Sequence, residues 1–402
     1  MRKYAKITPE GTRDLLFGEC AVRRDVETKL VSLFRGMGYQ EVETPGLEFY
    51  DVFQPGAAGL PTEMMFKLSD SKGRLLVLRP DSTMPIARMT ATRLQNAALP
   101  IRLYYNQKIF HSNPSFSGHS DEMEQMGVEL IGAKGLRADL EMITTSVRAL
   151  SYCVKDFRIE LGHAGFFQDI SARLPVGEEQ REDLRLFIES KNFAALDNLL
   201  DTLEDGPAVR LMRKLPRLFG GEEVFDEAET LCGEEIPTGS LDYLKSLYSA
   251  LIGAGLGDKI IIDLGLVHRN EYYTDIIFRG YTEGSSDTIL SGGRYDHLLG
   301  HYGTPMPAIG FAVDVDAVAK LSLSDPRASS PKSAQVLVHG RDGFELQAIR
   351  YAEQLREQGL VCELSVFDTE EAARQYAQRR GIPRMDVVYD KVEISQLEPA
   401  LV

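Results

Sequence analysis

The stretch that decides the fold is Arg102-Leu-Tyr-Tyr-Asn-Gln-Lys-Ile-Phe110, a loop of His111-Ser-Asn-Pro-Ser-Phe-Ser-Gly-His-Ser-Asp-Glu-Met-Glu124, and then Gln125-Met-Gly-Val-Glu-Leu-Ile-Gly132. Both flanks read as β-strands, and the segment between them contains the Pro, Ser and Gly residues typical of loops. The pattern predicts an antiparallel hairpin with a long connection. No lysine or arginine lies between Lys108 and Lys134, and the end of the loop carries Asp121, Glu122 and Glu124. We therefore expect the loop to repel anions.

The composition around this hairpin is that of a globular protein with more than one domain. The chain has 402 residues, 43% hydrophobic and 26% charged, which predicts two or three domains. It has 45 basic and 60 acidic residues, a formal charge of -15. This balance disfavours a general polyanion-binding surface, so we expect no nucleic-acid partner.

The cysteines and the chain start indicate a cytoplasmic protein. Cys20, Cys153, Cys232 and Cys362 are far apart and match no metal or redox spacing. The first residues show no signal-peptide pattern, and no apolar run is long enough for a membrane span. His297 and His301 lack a third ligand at a known spacing, so we expect no metal site, and no other cofactor.

The hairpin resembles motif 2 of class II aminoacyl-tRNA synthetases, and its return strand is similar to that of the histidyl-tRNA synthetases. A helix predicted over Ala21 to Arg35, followed by a strand that stops at Pro45, resembles motif 1, the dimer interface of that family. The resemblance implies an α+β fold, with an antiparallel six-stranded sheet, flanking helices and a homodimer formed through motif 1.

A second segment resembles the Arg-Pro-Glu-x-Thr signature of the same family. Leu75 to Leu78 predicts a strand that runs into Arg79-Pro80, with a helix starting near Pro85. By the resemblance, Asp81 (in place of the glutamate) and Thr83 face the α-amino group of a bound amino acid. The tetrapeptide alone is equally typical of a helix N-cap.

Two further pairs complete the predicted amino-acid site. Gln125 and Glu129 are four residues apart on one strand and therefore face the same side. The resemblance implies that they bind the side chain and amine of histidine, although a half-exposed strand face also accommodates Gln and Glu. Tyr272 and Tyr273 match the two tyrosines of the family's histidine-specific motif.

The resemblance also shows where cations are missing. Ser291-Gly-Gly-Arg-Tyr-Asp296 and Pro307 to Ala312 are similar to motif 3. The family's ATP-handling arginines correspond to His111, His268 and Ala317 in this chain. A guanidinium binds phosphate with two parallel hydrogen bonds, which a mostly neutral imidazole or a methyl group does not replace. The resemblance therefore implies that the scaffold is kept and adenylation is lost.

The domain organisation follows from pattern changes. Residues 1–325 are predicted to form the synthetase-like domain, with a helical insertion at about 165–255. A Pro/Ser linker is predicted at 326–332, and a β-α-β series at 333–402 resembles a small α/β anticodon-binding domain.

A synthetase scaffold without its ATP arginines resembles the regulatory subunits of ATP phosphoribosyltransferase. The resemblance implies a non-catalytic chain that activates a short-form catalytic subunit and gives it histidine feedback, in the first step of histidine biosynthesis. Two alternatives remain open at the level of sequence: a divergent, active histidyl-tRNA synthetase, and a stand-alone amino-acid-binding or RNA-binding paralogue.

Overall fold

The computed structural model describes residues 4–54, 60–113, 120–267, 272–282, 288–323 and 333–398. The chain divides into two compact units, Met1–Ala328 and Ser329–Val402. The predicted linker at 326–332 lies outside the described residues. Among the helices of these ranges, none is both long and apolar enough to cross a bilayer.

The first unit is built on a large mixed sheet. Its strands and those of a small adjoining sheet are β1 Gln40–Glu41, β2 Leu47–Phe49, β3 Lys67–Ser69, β4 Leu75–Leu78, β5 Ile101–Phe110, β6 Glu122–Ile131, β7 Arg158–His163, β8 Phe219–Gly220, β9 Ile260–Asp263, β10 Ile276–Tyr281, β11 Leu290–Arg294 and β12 Ala308–Asp314. Across the described residues the order in the large sheet is β1-β5-β6-β12-β11-β10-β7-β9-β8. The strands β2-β4-β3 form the small sheet.

The centre of the large sheet confirms the predicted antiparallel arrangement. From β5 to β7, every neighbouring pair in the described sheet is antiparallel. The described sheet extends beyond the six expected strands. At one edge β1 pairs in parallel with β5, and at the other β9 pairs in parallel with β7. The strand predicted to stop at Pro45 is present as β1, which covers only Gln40–Glu41. The two-residue strand β8 is too short to show a strand alternation in the sequence.

The helices of the first unit cover the sheet. They are α1 Gly18–Gly36, α2 Thr83–Arg93, α3 Leu136–Cys153, α4 Ala164–Ser171, α5 Glu178–Glu189, α6 Phe193–Leu200, α7 Pro207–Lys214, α8 Glu223–Cys232, α9 Gly239–Gly253 and α10 Val315–Leu323. The series α4 to α9 occupies the predicted helical insertion, which also contributes the strand β8. The helix α2 begins at Thr83, two residues before the predicted start.

Alternation along β5 and β6 separates two cores. Met126, Val128 and Leu130 of β6 point to one face, where α1 and α3 pack in the larger core. Tyr105 of β5 and Ile131 of β6 point to the other face, where the core includes residues of α2. Because side chains alternate across a strand, Gln125 and Glu129 lie on this second face. The second face therefore carries the candidate site.

The second unit is a four-stranded sheet, within the described residues, with a helix on each face. Its elements are β13 Val336–Gly340, α11 Glu345–Glu357, β14 Cys362–Leu364, α12 Glu370–Arg380, β15 Arg384–Val388 and β16 Val392–Gln396. The strand order is β14-β13-β15-β16, and β13 pairs in parallel with both of its neighbours. This confirms the small C-terminal α/β fold, to which the structure adds the antiparallel strand β16.

Candidate amino-acid-binding site

A row of residues across the sheet forms the floor of the site. Glu129 on β6 lies opposite Gly310 on β12, and Gly310 lies opposite Gly293 on β11. The missing side chains of the two glycines leave room for neighbours. A Cβ on Gly310 would lie 1.7 Å from Glu129 Oε2, and one on Gly293 would lie 2.6 Å from Tyr273 Cδ1. The glycines therefore allow a carboxylate and an aromatic ring to lie flat on the sheet.

The turn between β4 and α2 brings in Asp81 and Thr83. Asp81 Oδ1 accepts a hydrogen bond of 2.7 Å from the Met84 backbone N–H, so this carboxylate also caps the helix. Thr83 Oγ1 donates to Glu129 Oε1 at 2.9 Å. Both interpretations of the Arg-Pro-Asp-x-Thr segment are thus compatible, because a capping carboxylate still has lone pairs for a ligand.

Arg79 holds this turn in place. Its guanidinium donates to three backbone carbonyls, of Thr44 at 2.6 Å, Pro45 at 3.1 Å and Lys108 at 2.7 Å. Arg79 is buried, and burial lowers the pKa of its guanidinium. The arginine therefore connects the end of the motif 1 segment, the hairpin strand β5 and the turn that carries Asp81.

The tyrosine segment closes one side of the site. Tyr272 OH donates to Asp81 Oδ2 at 3.4 Å, and the rings of Tyr272 and Tyr273 meet edge to face at 4.8 Å between centroids. Tyr295, directly after β11, donates its hydroxyl to Glu129 Oε2 and packs against Tyr272 at 5.9 Å. The structure thus brings together Asp81, Thr83, Glu129, Tyr272 and Tyr273, and adds Tyr295.

The electrostatics of this pocket are unusual, because two carboxylates are held close together in an apolar setting. Burial raises the pKa of Glu129 to about 8, and the negative charge of Asp81 adds to that rise. Burial likewise raises the pKa of Asp81 to about 6. Hydrogen bonds from Tyr295 and Thr83 oppose the rise at Glu129. Perturbed carboxylates with convergent hydroxyls are typical of ligand sites, and a cationic ligand would reverse their shifts.

Gln125 lies four residues from Glu129 on the same face of β6. It lines a cavity of about 1200 Å³ between α1, the hairpin and α10. Gly127 lies between Gln125 and Glu129, and a Cβ on Gly127 would lie 2.5 Å from the Tyr105 hydroxyl. Glu124 also lines the cavity, and because successive strand residues point to opposite faces, the cavity extends beyond the sheet face that carries Glu129.

The cavity carries many charges, and four of the cations that line it form ion pairs with acids of the same chain. Arg23 of α1 forms ion pairs with Glu124 and, at 3.6 Å, with Asp316. Lys108 pairs with Glu122. Arg13 pairs with Glu19 at 2.6 Å, and Arg24 pairs with Glu27. These carboxylates compete with any phosphate for the same cations.

Two of the three positions at which the sequence predicts a lost ATP arginine lie on this cavity. His111 and Ala317 both line it. His111 Nε2 lies 2.7 Å from the Pro80 carbonyl, which only accepts, so the imidazole donates to the turn before Asp81. The Ala317 N–H donates to Asp314 Oδ1 at 2.9 Å in the first turn of α10. His268 lies outside the described residues. Over the same ranges, no group of three or more His, Cys, Asp or Glu side chains is placed to hold a metal ion.

Comparison with known proteins places the chain in a family. The histidyl-tRNA synthetase family model matches residues 11–318. An ATP phosphoribosyltransferase regulatory subunit of Clostridium kluyveri is 39% identical over 386 residues, which cover 95% of this chain and 99% of that protein. The one of Bacillus mycoides is 38% identical over 401 residues, 98% and 94% of the two chains.

A solved structure agrees with these relatives. It is described as an ATP phosphoribosyltransferase regulatory subunit/histidyl-tRNA synthetase from Bacillus halodurans, and it superposes with a TM-score of 0.82 at 29% identity. The match covers 93% of this chain and 97% of that one. The chain belongs to the family of ATP phosphoribosyltransferase regulatory subunits.

Two residues of this family member were not among the predicted site residues. Tyr295 belongs to the quoted Ser291 to Asp296 motif, where an aromatic residue after a Gly-Gly-Arg run was the available signal. Arg23 gave no signal, because an arginine on an amphipathic helix is ordinary and its partners Glu124 and Asp316 are 101 and 293 residues away in sequence. Only the folded structure shows that α1 places the Arg23 guanidinium in the cavity.

Proposed function

We propose that this chain is a non-catalytic regulatory subunit of ATP phosphoribosyltransferase. In this role it activates a short-form catalytic subunit in the first step of histidine biosynthesis and makes that enzyme sensitive to histidine. The observation that supports the proposal is the contrast between two neighbouring sites. A pocket with two carboxylates lies beside a cavity in which Arg23 and Lys108 pair with acids of the same chain.

The pocket fits histidine as effector. Asp81 and Thr83 offer oxygen acceptors for the α-ammonium group, and Glu129 offers an acceptor for an imidazole N–H. Tyr272 and Tyr273 supply aromatic surface beside these groups, and Gln125 extends the polar face toward the cavity. Each positive group of the ligand would relieve the cost of a buried negative one.

The cavity argues against adenylation. Positioning of a triphosphate needs cations that are free to contact phosphate oxygens and to stabilise charge in the transition state. Here Arg23 and Lys108 are engaged by Glu124 and Glu122. The positions 111 and 317 carry an imidazole and a methyl group. This supports a subunit without ligase activity, and the comparisons do not favour the alternatives of a synthetase or a stand-alone paralogue.

Regulation requires that histidine shifts an equilibrium of the assembled enzyme. A coupling free energy of about 1–3 kcal/mol between the histidine site and the catalytic subunit is typical of such systems. Histidine then binds more tightly to the inhibited assembly than to the active one, because coupling is reciprocal.

Reconstitution tests the proposal directly. The purified chain is mixed with a short-form ATP phosphoribosyltransferase catalytic subunit, and the rate is measured with and without histidine. We expect the chain to raise the rate and histidine to lower it, and calorimetry to detect histidine binding to the complex. Histidine-dependent ATP–pyrophosphate exchange by the chain alone would contradict the proposal and indicate an active synthetase. Absence of activation would instead favour a stand-alone paralogue.

We also infer that the chain forms a homodimer through its motif 1 segment. The face of the small sheet next to that segment exposes Leu47 and Phe49 of β2 and Leu68 of β3. Phe49 lies opposite Leu76, which in turn lies opposite Leu68, so these side chains form one apolar surface. Such a contiguous surface is typical of an interface. Light scattering of Phe49→Asp should show a monomer if the inference is correct, and an unchanged dimer would contradict it.

A further inference from the structure

The tyrosine segment, residues 272–275, is held against the end of β11. The Thr274 backbone N–H donates to the Arg294 carbonyl at 2.7 Å, and the Thr274 hydroxyl donates to the same carbonyl at 3.3 Å. Tyr273 lies over Gly293, where its ring takes the space that a side chain on the glycine would need. The position of the tyrosine rings therefore depends on where the end of β11 lies.

The side chain of Arg294 joins the end of β11 to the helical insertion. Because side chains alternate along a strand, it points away from the face on which Tyr273 covers Gly293. Its guanidinium forms an ion pair with Asp139 of α3, and the same carboxylate accepts a hydrogen bond from the Tyr243 hydroxyl of α9. Arg294 is 3% exposed and Asp139 is 0% exposed, so water does not replace these contacts.

A second contact joins the tyrosine segment to the start of the insertion. The Asp275 carbonyl accepts a hydrogen bond of 2.8 Å from the N–H of Ala164, the first residue of α4. The Asp275 carboxylate lies 3.4 Å from His163 Nε2. Because His163 Nδ1 accepts from the Gly165 N–H, the proton of a neutral ring is on Nε2, which faces Asp275. Burial lowers the pKa of His163 and so favours this neutral ring.

The two contacts lie in one cluster. Burial raises the pKa of Asp139, and the nearby negative charge of Asp275 adds to that rise. A buried polar group that loses its hydrogen-bond partner is costly, so these contacts restrict how the elements that carry them move apart. A displacement of the tyrosine segment is therefore transmitted to α4 and α9.

We propose that the helical insertion positions the tyrosine segment of the amino-acid site, and that Tyr243 is the positioning residue on α9. Tyr243 acts through Asp139 and Arg294 and does not touch the ligand. The inference rests on the proposed histidine effector site and adds its regulation: histidine binding orders α4 and α9 together with the tyrosine segment.

Hydrogen–deuterium exchange with and without saturating histidine tests this coupling. In the wild type, histidine should slow amide exchange in the tyrosine segment and also in α4 and α9. Tyr243→Phe keeps the ring and removes the donor to Asp139. We expect the slowing in α9 to be lost and that in α4 to remain, since α4 is held by the separate contact of Asp275. Calorimetry should show histidine affinity about 3- to 10-fold lower.

Tyr248→Phe is the matched control on the same helix. Tyr248 is buried and packs against Phe225 at 5.8 Å between ring centroids, and its hydroxyl has no hydrogen-bond partner among the described residues. This variant should match the wild type in affinity and in the pattern of exchange. Asp275→Ala tests the second contact: it should reduce the slowing in α4 and leave that in α9.

Separate outcomes contradict this inference and the proposed effector. If histidine slows exchange in the tyrosine segment of the wild type but in neither α4 nor α9, this inference alone is wrong. The same holds if Tyr243→Phe keeps the wild-type affinity and the slowing in α9, or if it loses stability while histidine still slows exchange at the same places. If the wild type, alone and with its catalytic subunit, does not bind histidine, the proposed effector fails together with this inference.

Discussion

The amino-acid pocket and the neighbouring cavity both include residues of β6, Glu129 in the pocket and Glu124 and Gln125 in the cavity, yet they treat charge in opposite ways. In the pocket, Asp81 and Glu129 receive hydrogen bonds from hydroxyl groups and a backbone N–H. In the cavity, Arg23 meets Glu124, Glu27 and Asp316. Neither carboxyl group of the pocket has an ion-pair partner among the described residues, whereas Arg23 and Lys108 in the cavity pair with acids of the same chain.

Under the proposed function the scaffold keeps an amino-acid site and lacks a working ATP site, and this difference gives the physical reason. A buried charge without a counter-ion is costly, and a ligand that supplies the counter-ion gains the corresponding free energy. A cation that already has a buried carboxylate partner gains little from a phosphate, because the existing pair must first be broken. The pocket is therefore prepared for a cationic ligand, and the cavity is closed to an anionic one. Four predictions test this comparison.

The largest effect is expected from removing the ion pairs that Arg23 forms in the cavity. Arg23→Met leaves Glu124 and Asp316 without their cation in a setting where the arginine side chain is 12% exposed. We expect a loss of about 3–5 kcal/mol in the free energy of unfolding, measured by urea denaturation. Arg24→Met is the control, since Arg24 is 72% exposed and its loss should cost about 0.5 kcal/mol or less. Equal effects of the two variants would contradict the internal balance of the cavity.

The next effect concerns ligand binding in the pocket. Glu129→Gln removes the acceptor charge, so histidine affinity measured by calorimetry should fall about 100-fold, and histidine should no longer inhibit the reconstituted enzyme. Glu122→Gln makes the same chemical change beside the cavity, at a residue paired with Lys108. That control should bind histidine about as well as the wild type. If both variants bind histidine normally, the effector does not occupy this pocket.

A smaller effect concerns stability without ligand. Glu129 has a pKa of about 8 in the folded chain and about 4.5 in a fully solvated chain. The unfolded chain therefore loses this proton first, and the wild type should lose stability as the pH rises from 4.5 through 8. Glu129→Gln has no carboxyl group to ionise at this position. Its free energy of unfolding relative to that of the wild type should therefore increase by roughly 1–3 kcal/mol from pH 5 to pH 9. Urea denaturation at pH 5 and pH 9 measures this increase. If the stability difference between the variant and the wild type does not change with pH, burial does not raise the pKa of Glu129.

The smallest effect is expected when one arginine is restored. Ala317→Arg places a guanidinium beside Asp314 and Asp316 at the start of α10. We expect these acids to pair with it, and ATP–pyrophosphate exchange to stay at background, because His111 still occupies another arginine position. Ala317→Gln, of comparable length and uncharged, controls for size. If this single change produces ATP–pyrophosphate exchange, the ion pairs of the cavity do not prevent ATP binding and the comparison is wrong.

The sequence predicted the elements whose signal is local. The hairpin β5–β6 and the helix α1 follow from strand alternation and helical spacing, which are properties of residues close together in the sequence. The five residues Asp81, Thr83, Glu129, Tyr272 and Tyr273 were found through motifs of known spacing, and the structure brings them together. The short strand β8 was not predicted, because two residues carry no periodicity.

What the sequence alone determined is the pattern of each strand and helix, including which side of β6 carries Gln125 and Glu129, since a period of two admits no other choice. Only the tertiary structure decided which charges meet. Arg23 pairs with Glu124, Tyr295 donates to Glu129, and Gln125 lines the cavity. The reason is physical: backbone periodicity is a short-range property, whereas an ion pair or a buried hydrogen bond depends on how distant elements pack.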